Sequence, residues 1–306
     1  MINIMEELCG RASDVDYKKK KVIVQGITGK YGAHHAHLMI EYGTNIIAGV
    51  TPGKGGSKFK DTIPIYDNME EAVKATGARI SIVFVPAKFF LGAVTDALNA
   101  GIKLLIAIPE HVPIRDTLQM LELAKEKNAT VIGPNTPGLI VPDIIKVGIM
   151  PASPFSLGDI VVISKSGTLL YEISNALTQS GFGQYITIGV GGDPVNGTRL
   201  VDAFEATKDL PKLRGIVIVG EIGGDAEEIL AQRIIDTKFS KPVVAYIAGR
   251  AAPKEKRMGH AGAIVYGNYG SAESKVDMFG KANVPVAKRP EEIPVLLATK
   301  IGDRVD

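Results

Sequence analysis

Short runs of branched apolar residues alternate with longer amphipathic stretches along nearly the whole chain. No other feature limits the fold as strongly. Val22–Val24, Ile46–Ala48, Ile80–Val85, Lys103–Ala107 and Thr130–Ile132 read as strands. Between them, Gly32–Tyr42, Met69–Thr76, Phe89–Ala100 and Ile114–Asn128 have the length and period of helices. A strand that is apolar on both faces must be covered on both, and a parallel neighbour requires a long crossover. The pattern therefore predicts an α/β fold with a doubly wound parallel sheet. It pauses over Leu139–Leu157, a proline-bearing stretch with little helical period that reads as a linker. It restarts with strands at Asp159–Ser164, Gln184–Ile188, Gly215–Val219 and Pro242–Ile247, and with helices at Thr168–Ser180, Thr198–Lys208, Asp225–Lys238, Ser271–Lys281 and Pro290–Lys300. Two domains are expected, residues 1–145 and 146–306, sharing an architecture but no sequence repeat.

Composition narrows the function. The formal net charge is +2, which argues against nucleic-acid binding by bulk charge. A single cysteine, Cys9, cannot form an internal disulfide. There is no apolar run of about 18 residues to span a membrane. Met1–Lys21 mixes acids with Lys18–Lys21 and lacks the apolar centre of a signal peptide, so the lysines read as a solvated lead-in and the expected location is cytoplasmic. Glycine is in excess, at 34 of 306 residues. The glycines cluster after strands, where backbone must approach something closely.

The first cluster is Gly26-Ile-Thr-Gly29-Lys-Tyr-Gly32, between a strand and a helix. Such a turn aims backbone N–H groups from the positive end of a helix, where phosphate binds. The spacing is GxxGxxG, not the GxGxxG of the dinucleotide fingerprint. After the second strand, Val50-Thr-Pro-Gly-Lys54-Gly-Gly56 offers a lysine where that fingerprint places an acid. A cation there suits a phosphorylated ribose, as in NADP or coenzyme A. His34, His35 and His37 lack a carboxylate or cysteine at ligand spacing, and they read as packing and helix-start residues rather than metal ligands. His111 reads as a loop residue at the carboxyl edge of the sheet.

The second half carries four glycine-rich loops after strands: Ser164–Thr168, Gly189–Pro194, Gly220–Asp225 and Ala248–Pro253, the last continuing to Ala263. Loops at the carboxyl ends of parallel strands converge on one crevice, so these four are expected to share a site. His260 is flanked by Gly259, Ala261, Gly262 and Ala263, which leave room for a bulky group. An imidazole nitrogen can attack phosphorus and hold a phosphoryl group. The helix start at Ser166–Thr168 could supply N–H donors, and Glu221 is the natural acceptor for the other ring nitrogen. GxxxxGK[ST] is absent from the sequence, so a nucleotide that phosphorylates His260 is expected on another chain.

Six motifs then carry a resemblance over nearly the whole length: Val50–Gly56 (VTPGKGG), Gly133–Gly138 (GPNTPG), Ser164–Glu172 (SKSGTLLYE), Gly191–Gly197 (GGDPVNG), Gly220–Glu228 (GEIGGDAEE) and Lys256–Ile264 (KRMGHAGAI). The chain resembles the α subunit family of succinyl-CoA synthetase, an acid–thiol (succinate–CoA) ligase. That resemblance implies a Rossmann-like CoA-binding domain followed by a flavodoxin-like ligase domain. It implies a β subunit with an ATP-grasp site holding ATP or GTP with Mg2+. The implied reaction is succinate + CoA + NTP ⇌ succinyl-CoA + NDP + phosphate, through a phosphohistidine at His260 and an acyl phosphate. Carried over by position, CoA contacts fall on Thr28, Gly29, Lys30, Tyr31, Lys54, Ile108, Pro109 and Glu110. Glu221 matches the acid that holds the histidine, Ser166, Gly167 and Thr168 match the phosphate-binding helix start, and Tyr171 matches a substrate-site residue. No metal site, membrane or nucleic-acid partner is implied for this chain. Thr136, His34 and Pro109 depart from residues common in the family. A citrate– or malate–CoA ligase shares the same chemistry and is the alternative.

Overall fold

The computed structural model describes residues 20–253, 256, 258–267 and 269–303. Cys9, Lys254, Glu255, Arg257 and two lysines of the lead-in, Lys18 and Lys19, lie outside the described residues. The chain forms two compact units. The first runs to Met150 and takes in Val195–Thr198; the second comprises Pro151–Pro194 and the chain from Arg199.

The first unit begins with β1 (Val22–Gln25) and α1 (Lys30–Glu41), followed by β2 (Ile46–Val50). A short antiparallel pair, β3 (Lys58–Phe59) and β4 (Ile63–Tyr66), precedes α2 (Met69–Thr76) and β5 (Ile80–Val83). Then come α3 (Phe90–Asn99), β6 (Leu104–Ala107), α4 (Ile114–Glu126) and β7 (Thr130–Ile132). The sheet order is β3-β4-β2-β1-β5-β6-β7, parallel throughout except at β3. β1, β5 and β6 are buried along their whole length, as strands covered by helices on both faces must be. One core layer packs Ile23, Val83 and Leu105 of the sheet against Phe90, Val94 and Met120 of the helices. From β1 the chain moves outward through β2 to β4, then returns to β5 on the other flank. The loops after β1 and β5 therefore part company at the carboxyl edge, where doubly wound sheets open a crevice.

The stretch expected as a linker is a hairpin. β8 (Gly138–Val141) and β9 (Ile145–Gly148) pair antiparallel, and every residue of both is buried. Asp143 takes a positive φ of 61° in the turn and donates its N–H to Tyr42 Oη at 2.9 Å. Thr44 Oγ1 donates to the Lys146 carbonyl at 2.6 Å and accepts the Lys146 N–H at 3.2 Å. Four-residue strands buried on both faces show no alternation, and the neighbouring prolines masked them.

The second unit opens with β10 (Leu157–Ser164), α5 (Gly167–Gln179), β11 (Gln184–Gly189) and α6 (Leu200–Thr207). It continues with β12 (Gly215–Glu221), α7 (Ala226–Asp236), β13 (Val243–Ala248), α8 (Ala272–Lys281), β14 (Val286–Ala287) and α9 (Ile293–Ile301). Its five parallel strands run β14-β13-β12-β10-β11, the order of flavodoxin-like sheets. Ile160, Val162, Val217 and Val244 pack against Ile173, Leu177 and Leu297. The switch point lies between β10 and β12, so the loops after these two strands flank the second crevice. Val195–Thr198, read from sequence as running into a helix, instead joins the first unit: Gly197 N–H donates to the Gly133 carbonyl at 2.7 Å and Thr198 Oγ1 to the Val131 carbonyl at 2.6 Å.

A Cβ on Gly32 would lie 2.2 Å from the Gly26 carbonyl oxygen, and that contact is backbone. Gly32→Ala is expected to destabilise the chain by about 1–3 kcal/mol, read as a lower urea midpoint with an unchanged slope.

Candidate functional site

In the first unit the turn expected to hold phosphate is tightly built. Gly26, at φ +77°, donates its N–H to the Val50 carbonyl at 2.8 Å, and its own carbonyl accepts the Gly29 N–H at 3.0 Å. The first turn of α1 is pressed onto this carbonyl, which is why the third glycine is required. The N-cap, Gly29, gives α1 no side-chain cap, and the first turn holds no acid. α2 is the contrast. Asn68 Oδ1 accepts the Glu71 N–H at 2.9 Å, and Glu70 and Glu71 occupy its first turn. The start of α1 is thus left for an external negative charge.

The other first-unit residues lie on the same carboxyl edge. Thr28 Oγ1 donates to Thr51 Oγ1 at 3.2 Å, tying the β1 loop to the β2 loop that carries the exposed Lys54. Lys30 opens α1, and Tyr31 beside it is half exposed, edge-on to the rings of His35 and Phe84. Burial, then the charge of Glu110, push the Tyr31 phenol up. Ile108 is buried and donates its N–H to the Val83 carbonyl at 3.3 Å; the Pro109 carbonyl accepts the Asn135 N–H at 2.9 Å; Glu110 is exposed. The histidines are engaged nearby. His35 stacks on Phe84 with ring centroids 5.8 Å apart, and burial, then His34 and Lys146, push it down to about 4. It is therefore neutral at pH 7. Contrary to the sequence reading, His37 does have a carboxylate at ligand spacing: Glu41, one helical turn on, pairs with its Nε2 at 3.1 Å, while Lys60 takes its Nδ1. His111 is exposed in the loop after β6.

In the second unit all four glycine loops meet. Glu221 is the last residue of β12 and is 6% exposed. His260 Nδ1 donates to Glu221 Oε2 at 2.7 Å. The loop after β11 supplies the seat for the ring. A Cβ on Gly192 would lie 2.3 Å from His260 Cγ, so only glycine leaves room for the imidazole. The Gly192 carbonyl accepts the Gly262 N–H at 3.4 Å, and the Gly223 N–H donates to the Gly270 carbonyl at 2.7 Å. The loop after β10 contributes Ser166, the N-cap of α5, whose Oγ accepts the Leu169 N–H at 3.3 Å. Ser164 Oγ holds this turn from below, donating to the Ser166 carbonyl at 2.7 Å. Gly167 and Thr168 open α5, and Tyr171 lies one turn further on, edge-on to Phe155.

Three residues of this site were not legible as such. Lys165 Nζ lies 3.6 Å from Glu221 Oε1 and 3.7 Å from Glu227 Oε1. Glu227, on α7, is fully buried, accepts the Glu221 N–H at 3.0 Å and pairs with the equally buried Lys275 of α8. Lys275 also donates to the Gly224 carbonyl and to Glu228, each at 3.0 Å. In the sequence, Lys275 looks like any lysine on an amphipathic helix. Lys165 and Glu227 sat inside quoted motifs without an assigned role.

The hydrogen bond to Glu221 raises His260 above its ordinary value, against burial, which lowers it, with the charge of Glu221 adding to the rise. With the proton on Nδ1 and the ring neutral, Nε2 presents its lone pair, which makes the ring a nucleophile. A raised folded value means the pair's stabilisation is complete below about pH 6.5 and lost as pH rises through the folded value. Glu221→Gln removes the charge, so the His260 titration midpoint is expected to fall, measured by NMR on ring-labelled histidine.

The comparisons follow this division. The CoA binding domain family matches residues 17–111, and the CoA-ligase family matches residues 163–282. The chain is 47% identical over 281 residues to "Succinate--CoA ligase [ADP-forming] subunit alpha 2" of Archaeoglobus fulgidus, covering 92% of this chain and 97% of that one. It is 46% identical over 284 residues to the protein named as the alpha subunit of the same ligase in Methanothermobacter thermautotrophicus, covering 93% and 96%. Among solved structures, ATP citrate lyase from Methanothrix soehngenii, in complex with citrate and coenzyme A, superposes with a TM-score of 0.83 at 23% identity. That match covers 92% of this chain and 50% of the lyase, and at that identity it shows a shared fold. High identity over nearly the full length of both chains, together with two family matches that fall on the two α/β units, shows that this chain belongs to the succinate–CoA ligase α subunit family.

Proposed function

We propose that this chain is the CoA- and phosphohistidine-bearing subunit of an ADP-forming succinate–CoA ligase, working in the cytoplasm with a β subunit. The observation that carries the reading is His260, seated on Gly192 with Nδ1 held 2.7 Å from Glu221. Nε2 attacks the γ-phosphorus of ATP, the bond to ADP breaks, and ADP leaves. A succinate carboxylate oxygen then attacks that phosphorus, giving succinyl phosphate and freeing Nε2. The CoA sulfur attacks the acyl carbon, the C–O bond to phosphate breaks, and the departing phosphate takes the thiol proton as succinyl-CoA forms. Glu221 fixes the tautomer and offsets the positive charge that develops on the ring. Ser166 Oγ and the Gly167 and Thr168 amides are the donors for the phosphoryl oxygens.

Nucleotide and Mg2+ are assigned to the partner's ATP-grasp site, because this sequence carries no P-loop pattern. CoA is assigned to Thr28, Gly29, Lys30, Tyr31, Lys54, Ile108, Pro109 and Glu110, with Lys54 facing the 3′-phosphate and the uncapped start of α1 facing the pyrophosphate. Tyr171 is assigned to the acid substrate. Succinate is preferred to citrate or malate because the named relatives are succinate ligases. Among the described residues no helix is long and apolar enough to cross a membrane.

With γ-labelled ATP and the β subunit, the wild-type chain is expected to take up acid-labile, base-stable label, and His260→Asn none. Equal labelling of His260→Asn would refute the nucleophile. Turnover of citrate or malate without succinate would refute the substrate. For Lys54→Met, KM for CoA is expected to rise roughly tenfold, the size of one lost charge-assisted contact. KM for 3′-dephospho-CoA is expected to stay unchanged.

A further inference from the structure

Glu221 has two oxygens with different surroundings. Oε2 takes the His260 Nδ1 proton at 2.7 Å. Oε1 is buried with no hydrogen bond, and Lys165 Nζ stands 3.6 Å away. The same ammonium stands 3.7 Å from Glu227 Oε1, with its side chain 11% exposed. Lys165 is fixed from both sides, because Glu227 is itself tied to Lys275 and to the Glu221 backbone N–H. A buried carboxylate facing an imidazole with nothing behind it would stabilise the imidazolium strongly. An imidazolium has no lone pair at Nε2 and cannot attack phosphorus.

We infer that Lys165 is a positioning residue that acts through Glu221, offsetting part of its charge so that more of the His260 ring stays neutral and nucleophilic than Glu221 and Asp193 alone would allow, while Nδ1 stays hydrogen bonded. The inference rests on the proposed role of His260. The charged groups facing this ring are Glu221 from β12, Lys165 from the loop after β10 and Asp193 from the loop after β11, with Glu227 of α7 and Lys275 of α8 behind Lys165. Glu221 and Asp193 favour the charged ring; Lys165 opposes them. Lys165 itself is kept charged: burial disfavours the ammonium, but Glu227 and Glu221 more than offset that. Its Nζ stands between two carboxylates, 3.6 and 3.7 Å away, so its charge acts on the histidine's partner.

The test is an NMR titration of His260 in the full chain, assigned with His260→Asn, for wild type, Lys165→Met and Lys165→Arg. Lys165→Met is expected to raise the His260 midpoint by about one pH unit, and Lys165→Arg to leave it near wild type. With the β subunit, labelling by γ-labelled ATP should fall several-fold at pH 7 in Lys165→Met and recover at higher pH. An unchanged midpoint in folded Lys165→Met overturns the inference. So does labelling that is lost equally at every pH, which would mean contact with the phosphoryl group. If Lys165→Met does not fold, Lys165→Gln takes its place; if neither folds while Lys165→Arg does, the lysine is purely structural and the inference fails. A shifted midpoint with no label on His260 in any variant would leave the tuning intact and refute the nucleophile instead.

Discussion

Two side chains in the second unit, Glu227 and Lys275, have no solvent exposure at all. Ions taken fully out of water survive only when paired, and removing one partner of such a pair costs about 3–5 kcal/mol. Burial alone would push the Glu227 carboxyl up, yet Lys165 and Lys275 hold it below the ordinary range. The geometry at the edge of the sheet follows from that pairing. Glu227 accepts the Glu221 N–H, Lys275 takes the Gly224 carbonyl, and the loop after β12 is pinned at both ends. Glu221 is then rigid enough to hold a histidine that arrives from the loop after β13.

The glycines complete this arrangement by removing side chains at points of contact. A Cβ on Gly223 would lie 1.9 Å from the Gly262 carbonyl, and one on Gly220 would lie 2.6 Å from Glu227 Cγ. With Gly192 under the imidazole, three loops can close around His260 without a void or a clash. In the first unit Gly32 against Gly26, and Gly49 against Ile27, let α1 and β2 press on the turn after β1. Part of the glycine excess therefore reflects close packing at two carboxyl edges, while other glycines, such as Gly77 and Gly302, end helices at positive φ with open space around them.

Much of the fold was legible because buried parallel strands leave continuous branched runs, and crossover helices leave a 3.6-residue period. Ile80–Val83 and Gly215–Val219 needed no tertiary information. β8 and β9 did, because each is four residues long, lies among prolines and is buried on both faces. The short edge pairs at Lys58–Phe59 and Val286–Ala287 left no signal for the same reason of length. Of the site, His260 stood out by its small neighbours and Glu221 by its place at the end of a strand. Gly192 could be read as part of a flexible loop, but not as the floor of the imidazole.

The linear order of residues was enough to read the two doubly wound units, a glycine-rich turn after β1, a histidine with a candidate carboxylate, and the family. Each of these is local, or is written in motifs whose order along the chain is itself the signal. Which charges are buried together is a property of the folded chain alone. Lys165, Glu227 and Lys275 stand 62 and 48 residues apart in sequence, on three elements, and nothing in a linear pattern marks a lysine that loses its water. Their meeting depends on the strand order β13-β12-β10, which brings the ends of β10 and β12 side by side and packs α7 against α8.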